Sequence, residues 1–438
     1  MRLETPDKIR DLQRGLYLKA KREPKFRFYL LHDKVWRGDI LKHAYRLVRA
    51  NGGAPGIDGE TFQSIENGEG EAMFLSKLQQ ELKGKTYRAQ AVRRVYIPKA
   101  DGKQRPLGIP TIRDRVAQMA VKLVIEPIFE ANFEDCSYGF RPKRDAHQAV
   151  GAIRQALYNG HCDVFDADLN QYFDTISHSK LLILVARRIS DRHILGWIKQ
   201  WLTAVVVQED EEGKRRTSKA KRGTPQGGVI SPLLANIYLH LFDQVLLTYC
   251  RAAGRAVHLV RYADDFVILM RAGVNETLLK AKQILGRMEL ALNEEKSRMV
   301  DARKEGFNFL GFTFCPKRNR QTGKDIILVE PSRKSQLHFR EEVRHLTGRW
   351  SHCLAEEEVL GRVNRYVSGW VNYFHLYNST QAFRRQRFFL EQRIRKYLQT
   401  RRQRRGFRIK RWSTGRLYRE FGLCAIPVHA PYRRARTP

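Results

Sequence analysis

The chain has 438 residues, of which 42% are hydrophobic, enough for two or three globular units with proper cores and too apolar for a disordered tail. Lysine and arginine total 81 against 46 acids, giving a net charge of +35, the footprint of a polyanion partner, most commonly nucleic acid. No stretch reads as the roughly 18 apolar residues of a membrane span, the six cysteines are scattered without a C-x-x-C pair, and the N-terminus has no apolar signal core. A cytoplasmic protein without a membrane partner is expected, nucleoid-associated when bound to DNA.

Thr5-Pro6-Asp7 reads as an N-cap followed by proline at the first helical position, with Ile9, Leu12, Leu16 and Ala20 at helical spacing behind it. A second helical pattern covers about Val35 to Val48 and stops at Asn51-Gly52-Gly53. From Ala91 to Pro110 the pattern is strand, turn, strand, with Asp101-Gly102 as the hairpin turn. Helical periodicity returns from Ile112 to Phe129. Helices then alternate, to about Thr313, with the β-rich runs CDVFDADL, HLVRYADDFVIL and FNFLGFTF, which predicts an α+β unit with an antiparallel sheet. Beyond about Pro331 the β signal fades. Phe339, Val343, Leu346 and Trp350, then Val359, Val363, Trp370 and Phe374, recur at helical spacing and predict a small helical bundle. After Phe388 the chain turns basic, and Arg401 to Arg411 reads RRQRRGFRIKR without an acid.

Asp264 and Asp265 stand between two apolar runs, HLV and FVIL, where adjacent aspartates are poor strand formers and costly to bury. The tight turn of a hairpin is their natural place. A second apolar strand ends in acids at Asp166 and Asp168, which share one face by the period-two rule. Asp168 could join the hairpin pair at one site, and three convergent carboxylates are hard oxygen ligands suited to Mg²⁺. Two such ions about 3.5–4 Å apart can clamp the attacking and leaving oxygens of a phosphoryl transfer. A lone Y-x-D-D tetrapeptide is more often a solvated turn than a site, so the neighbouring motifs decide.

Those motifs follow one another over nearly the whole chain: GAPGIDG (Gly53 to Gly59), IPKADGKQRPLGIPTIRDRVAQ (Ile97 to Gln118), SYGFRPKRDAHQAV (Ser137 to Val150) and DADLNQYFDTISH (Asp166 to His178). RGTPQGGVISPLLANIYLH (Arg222 to His240), RYADD, LNEEKS (Leu292 to Ser297), FLGFTF (Phe309 to Phe314) and NRYVSGWVNYF (Asn364 to Phe374) come after. In this order they resemble bacterial group II intron-encoded reverse transcriptases with their maturase domain. The resemblance implies a right-hand polymerase of class α+β, fingers and palm with an antiparallel palm sheet followed by an α-helical thumb or maturase domain. It divides the chain into an N-terminal helical extension (1–65), fingers and palm (66–318), thumb (325–400) and a basic nucleic-acid-binding segment (401–438).

By the same resemblance Asp168, Asp264 and Asp265 are the catalytic, metal-binding triad for two Mg²⁺ ions, with the Leu169 carbonyl as a further ligand. Lys99 and Arg105 flank the Asp-Gly turn and would reach the dNTP triphosphate, although the same spacing suits a solvated basic hairpin. Phe173 is where the family carries the aromatic beneath the sugar, and from spacing alone it is an ordinary core phenylalanine. Gln226 resembles the glutamine beside nucleotide and template, and its two following glycines let backbone approach a ligand. Lys296 matches a basic residue that could assist pyrophosphate departure, a surface lysine being the alternative. Asn170 departs from the family, which commonly carries a basic residue there. In the tail, Arg401, Arg402, Arg404, Arg405, Arg408, Lys410 and Arg411 are candidate phosphate contacts, with Phe407 and Trp412 as stacking platforms, against the alternative of a solvated basic face. No metal-ligand spacing of a C-terminal nuclease is expected.

The implied function is RNA-directed DNA polymerisation from dNTPs on an RNA template with a DNA primer or target, coupled to binding the group II intron RNA, assisting its splicing and copying it during retrohoming. The alternatives are a splicing cofactor without polymerase activity, or a domesticated reverse transcriptase in host defence or DNA repair.

Overall fold

The computed structural model describes residues 3–98, 102, 104–209, 214–318, 323, 325–403 and 411–430. In chain order its helices and strands begin α1 (Asp7–Arg22), α2 (His32–Val35), α3 (Gly38–Asn51), α4 (Phe62–Asn67), α5 (Gly70–Lys83), β1 (Val92–Pro98), β2 (Gln104–Ile109), α6 (Ile112–Glu130) and α7 (Ala146–Tyr158). They continue β3 (Asp163–Ala167), α8 (Tyr172–Thr175), α9 (His178–Ala186), α10 (Arg192–Leu202), β4 (Val205–Glu209), β5 (Arg215–Lys219), α11 (Ser231–Ala252), β6 (Val257–Tyr262), β7 (Asp265–Met270) and α12 (Val274–Arg287). The last are β8 (Arg298–Asp301), β9 (Phe307–Phe309), β10 (Phe312–Arg318), β11 (Asp325–Pro331), α13 (Arg333–Leu346), α14 (Glu356–Phe374), α15 (Thr380–Arg401) and α16 (Thr414–Arg419). The chain forms two compact units, one from Met1–Arg144, Ala167–Val267 and Gly273–Arg298, the other from Asp145–Asp166, Ile268–Ala272 and Met299–Pro438.

The first unit is built around α6, whose residues are buried on nearly all sides, as expected of a helix that is apolar almost all round. Thr111 caps it, its hydroxyl accepting from the Asp114 amide at 3.2 Å. Helices α1 and α3 pack against α6, α1 through Ile9, Leu16 and Ala20, and Leu12 is only half-buried. The cap of α1 is Pro6, one residue later than the sequence reading placed it.

Strands β2, β1, β4 and β5 form one sheet in that order, and its β1–β4 pairing is parallel, where the sequence had predicted only antiparallel neighbours. The β4–β5 hairpin was not anticipated, because only β4 (VVVQE) carries an apolar run and its partner β5 (RRTSK) carries none. In the β1–β2 hairpin the register closes at Pro98–Gln104, leaving 99–103 as the connection, of which Gly102 alone is described, at φ +80°. Asp101 of the expected turn lies outside the described residues. A second sheet has the order β6-β7-β3-β8. Helix α11 packs on β6 and between α9 and α12. By length and composition it could span a membrane, which corrects the sequence reading that no such stretch exists, but 61% of its apolar window is buried within the protein.

Beneath the β1–β2 hairpin, the Tyr87 hydroxyl donates to Asp114 at 2.7 Å and accepts from Trp201 Nε1 at 2.9 Å, with the ring wholly buried. Tyr87→Phe keeps the shape, orphans the indole N–H and leaves Asp114 Oδ1 with Arg113 Nη1 at 3.3 Å as its donor. The expected cost is about 1–3 kcal/mol, read from urea unfolding against wild type.

In the second unit β9, β10 and β11 form an antiparallel sheet, with Phe307 stacked on Phe314 at 4.9 Å, and α7 packs on β11. Helices α13, α14 and α15 pack through Phe339, Val343, Val363, Trp370, Phe383 and Leu390. Trp350 leaves the predicted stripe: α13 stops at Leu346, and the indole is 44% exposed, donating to the His345 carbonyl at 2.9 Å.

Candidate active site

Strands β6 and β7 flank the two-residue turn Ala263–Asp264. Ala263 lies at φ +59°, the left-handed conformation required at the first central position of a II′ turn. Behind the turn Arg261 is fully buried, its Nη1 donating to the Ala263 carbonyl at 3.0 Å and its Nη2 to Asp243 at 2.6 Å. Asp265, the first residue of β7, is exposed, and Asp264 is half-buried. Burial pushes the Asp264 carboxyl above the usual carboxylate range, and the negative charge of Asp168 pushes it the same way, against the charges of Arg105 and Arg261. Two segments remote in sequence, with the neighbouring Arg261, thus act on one carboxyl.

Asp168 follows the end of β3. Its amide donates to Ser297 Oγ at 3.2 Å and its carbonyl accepts from the Asn293 amide at 2.8 Å, while the Asn170 amide donates to the Ala291 carbonyl at 2.9 Å. These bonds bracket the antiparallel bridge Leu169–Leu292. In such a pair the bracketed residue's own amide and carbonyl point to the opposite edge, so the Leu169 carbonyl faces away from LNEEKS. Lys296 places Nζ 3.1 Å from Asp168 Oδ2.

The three carboxylates are hard oxygen donors of the kind Mg²⁺ takes, and the Asp168–Asp264 repulsion is an imbalance that a cation would relieve. Among the described residues no group of three His, Cys, Asp or Glu side chains is arranged to hold a metal ion, and Asp168 is paired with Lys296.

The RGTPQGG segment braces the neighbouring turn. The Thr224 amide donates to the Phe173 carbonyl at 2.7 Å, and a Cβ on Gly223 would stand 2.8 Å from that oxygen. Gln226 Nε2 donates to Asp174 at 3.0 Å, and its carbonyl accepts from the Gly108 amide at 2.6 Å. A Cβ on Gly227 would lie 2.5 Å from the Gly108 carbonyl, so the close approach here is to the backbone of β2. The Phe173 ring is half-buried, edge-on to the exposed Phe140 at 6.5 Å. Arg105 is exposed on β2, and Lys99 lies outside the described residues. Phe140, Asp174 and Ser297 were missed, although each lies inside or beside a motif quoted from the sequence.

In the second unit, Arg401 donates to the Tyr397 hydroxyl at 2.9 Å, and Arg402 pairs with Glu356 at 3.0 Å while covering the rings of Trp412 and Phe421. Trp412 is 3% exposed, with Arg416 over it too. This corrects the expectation that Trp412 offers a stacking platform: its ring is core, and two guanidiniums close it off. Arg411 is exposed. Arg404, Arg405, Phe407, Arg408 and Lys410 lie outside the described residues. Phe388 is an exposed aromatic on α15, on the face that also carries Arg384, Arg385 and Lys396.

Architecturally this is a mixed α/β region with central strands followed by a largely helical region, the layout of a reverse-transcriptase-like core joined to a helical maturase domain. Residues 97–314 match the family described as reverse transcriptase (RNA-dependent DNA polymerase), and residues 336–418 match the group II intron, maturase-specific domain. The chain is 34% identical over 392 residues to Protein YkfC of Escherichia coli, covering 81% of this chain and 100% of that protein. It is 38% identical over 364 residues to the group II intron-encoded protein LtrA of Lactococcus lactis subsp. cremoris, covering 68% of this chain and 59% of LtrA, so it spans less than two thirds of that relative. Weaker similarity, 25% over 186 residues, reaches the nuclear intron maturase 1 of Arabidopsis thaliana, covering 32% of this chain and 26% of that protein. The chain belongs to the group II intron-encoded reverse transcriptases with a maturase-specific domain.

Proposed function

We propose that this protein is an RNA-directed DNA polymerase that also binds a group II intron RNA, assists its splicing and copies it during retrohoming. In this reading residues 1–65 are an N-terminal extension, 66–318 the fingers and palm of a right hand, 325–400 the thumb and 401–438 a basic nucleic-acid-binding segment. The observation that carries it is the sheet order β6-β7-β3-β8, in which the strand that Asp265 opens neighbours the strand that Asp168 follows, and the charge of Asp168 bears on the Asp264 carboxyl.

Asp168, Asp264, Asp265 and the Leu169 carbonyl would hold two Mg²⁺ ions, which when bound supply charge for the attacking and leaving oxygens. In this reading Arg105 and Lys99 would bind the triphosphate and offset the charge that spreads over its oxygens. Phe173 presents a flat ring where a 2′-hydroxyl would collide, which favours dNTPs over ribonucleotides. Gln226 is held by Asp174 on the nucleotide side of the RGTPQGG turn. Lys296, whose Nζ lies 3.1 Å from Asp168 Oδ2, would give a proton to departing pyrophosphate. The α15 face with Arg384, Arg385, Phe388 and Lys396 supplies a phosphate grip and a stacking ring for RNA.

The test is primer extension on an RNA template with dNTPs and Mg²⁺. Full-length cDNA that stops on chelation and resumes on adding Mg²⁺ is expected. A folded wild type that binds RNA tightly and makes no cDNA would move the assignment to a splicing cofactor. Lys296→Ala is expected to slow single-turnover extension by about 10²-fold.

A further inference from the structure

Arg261 and Asp243 are both completely buried, and each of the three guanidinium nitrogens has an acceptor. Nε donates to both Asp243 oxygens at 2.9 and 3.0 Å, Nη2 to Asp243 Oδ2 at 2.6 Å, and Nη1 to Asn236 Oδ1 at 2.9 Å and the Ala263 carbonyl at 3.0 Å. Asn236 in turn donates from Nδ2 to the Gly139 carbonyl at 2.8 Å. The 136–139 segment closes on the other side: the Arg261 amide donates to the Cys136 carbonyl, the Tyr138 amide to the Arg261 carbonyl, both at 2.8 Å, and a Cβ on Gly139 would stand 2.4 Å from the Ala263 amide nitrogen.

A buried ion pair is a poor means of stabilising a core, since apolar residues of similar volume commonly do as well or better. What apolar residues cannot do is bond the Ala263 carbonyl. That carbonyl belongs to the peptide entering Asp264, in a turn whose alanine is held in a left-handed conformation that only its surroundings can enforce. We infer that Arg261, backed by Asp243 and Asn236, is a positioning residue that fixes the direction in which Asp264 and Asp265 leave the hairpin. The inference rests on the proposal that these two carboxylates are catalytic.

The test compares the full chain with Arg261→Lys and with the paired change Arg261→Met and Asp243→Leu. A lysine offers one ammonium and cannot serve Asp243, Asn236 and Ala263 together. The paired change leaves no orphan charge, although Asn236 Oδ1 and the Ala263 carbonyl lose their donor, so it is expected to fold with a melting temperature modestly below wild type, which keeps the experiment informative if Arg261→Lys does not fold. In the paired variant kcat for extension is expected to fall by about 10²-fold through misplacement of the carboxylates, with KM for dNTP within about 3-fold and primer–template affinity unchanged. Hydrogen exchange at the amides of Ala263, Asp264 and Asp265 is expected to quicken, with the rest of the unit unchanged. Wild-type exchange in the turn of the folded paired variant overturns the inference, and so does faster exchange with wild-type kcat, because the network then serves stability alone. If the wild type makes no cDNA, it is the polymerase reading that fails, and the exchange measurement still decides whether the network holds the turn.

Discussion

Asp264→Asn is expected to reduce primer extension by about 10³-fold or more and, at neutral pH, to raise the melting temperature. The first effect follows if Asp264 is a metal ligand, because an amide keeps the shape of the side chain and discards its charge. The second follows from where the carboxyl titrates. Burial, with the charge of Asp168 behind it, raises its folded pKa above the unfolded value. As pH rises, the unfolded chain ionises this group first, so its contribution to stability falls between the two pKa values and stays lost above the folded one. Asparagine avoids that loss. Its advantage over wild type should therefore be present at neutral pH and vanish in acid below the unfolded value, in melts across a pH series. A variant that loses activity and also stability at neutral pH would contradict the account of a destabilised carboxyl kept for function.

Glu391→Ala is expected to cost about 3–5 kcal/mol, the usual consequence of removing one partner of a buried charge pair. Glu391 is 9% exposed and accepts from the Tyr418 hydroxyl at 2.8 Å, Arg387 at 3.2 Å, and Arg395 and Thr414 at 3.3 Å. Burial pulls its carboxyl upward, yet Tyr418, Arg387 and Arg395 together outweigh it and hold the pKa below the ordinary value. The sign is opposite to that of Asp264: this stabilisation is complete above the unfolded pKa and is lost as pH falls through the folded one. Urea unfolding should show a large deficit for the variant at neutral pH that narrows in acid. Limited proteolysis should also cut near Thr414–Arg419, since Tyr418 and Thr414 lose the residue that anchors them.

The parts of this fold governed by local periodicity could be read from the chain alone. Ile9, Leu16 and Ala20, and later Val359, Val363, Trp370 and Phe374, form buried stripes because 3.6-residue spacing puts them on one helix face. The turn at Ala263–Asp264 was legible for a similar reason, two acids interrupting an apolar run. What escaped depends on pairings between distant segments. Nothing near β1 announces a parallel neighbour more than a hundred residues later. Arg261 reads as one more cation in a chain of +35 until Asp243 and Asn236 are found around it. Trp412, in a stretch dense in arginine, looked exposed for the very reason that it is not: Arg402 and Arg416 cover it. The apolar run of Ser231–Ala252 is masked in the sequence because Asn236, His240 and Asp243 interrupt it; inside the core Asn236 and Asp243 are hydrogen-bonded, while His240 Nδ1 is buried without a partner.

The interleaving of the two units bears on how the chain is made. Synthesis delivers Asp145–Asp166 long before Met299–Pro438, the stretch with which it forms a unit, and the first unit cannot be completed until Arg298 has left the ribosome. For most of translation the apolar Val164 and Phe165 of β3 and the buried face of α7 wait without all their final neighbours, the kind of delay that exposes a nascent chain to aggregation. A premature stop anywhere before Arg298 yields neither unit, and a cut between the two family matches, between residues 314 and 336, separates α7 from the helical bundle of its own unit. Fragments divided at that border should be recovered only when both pieces are produced together.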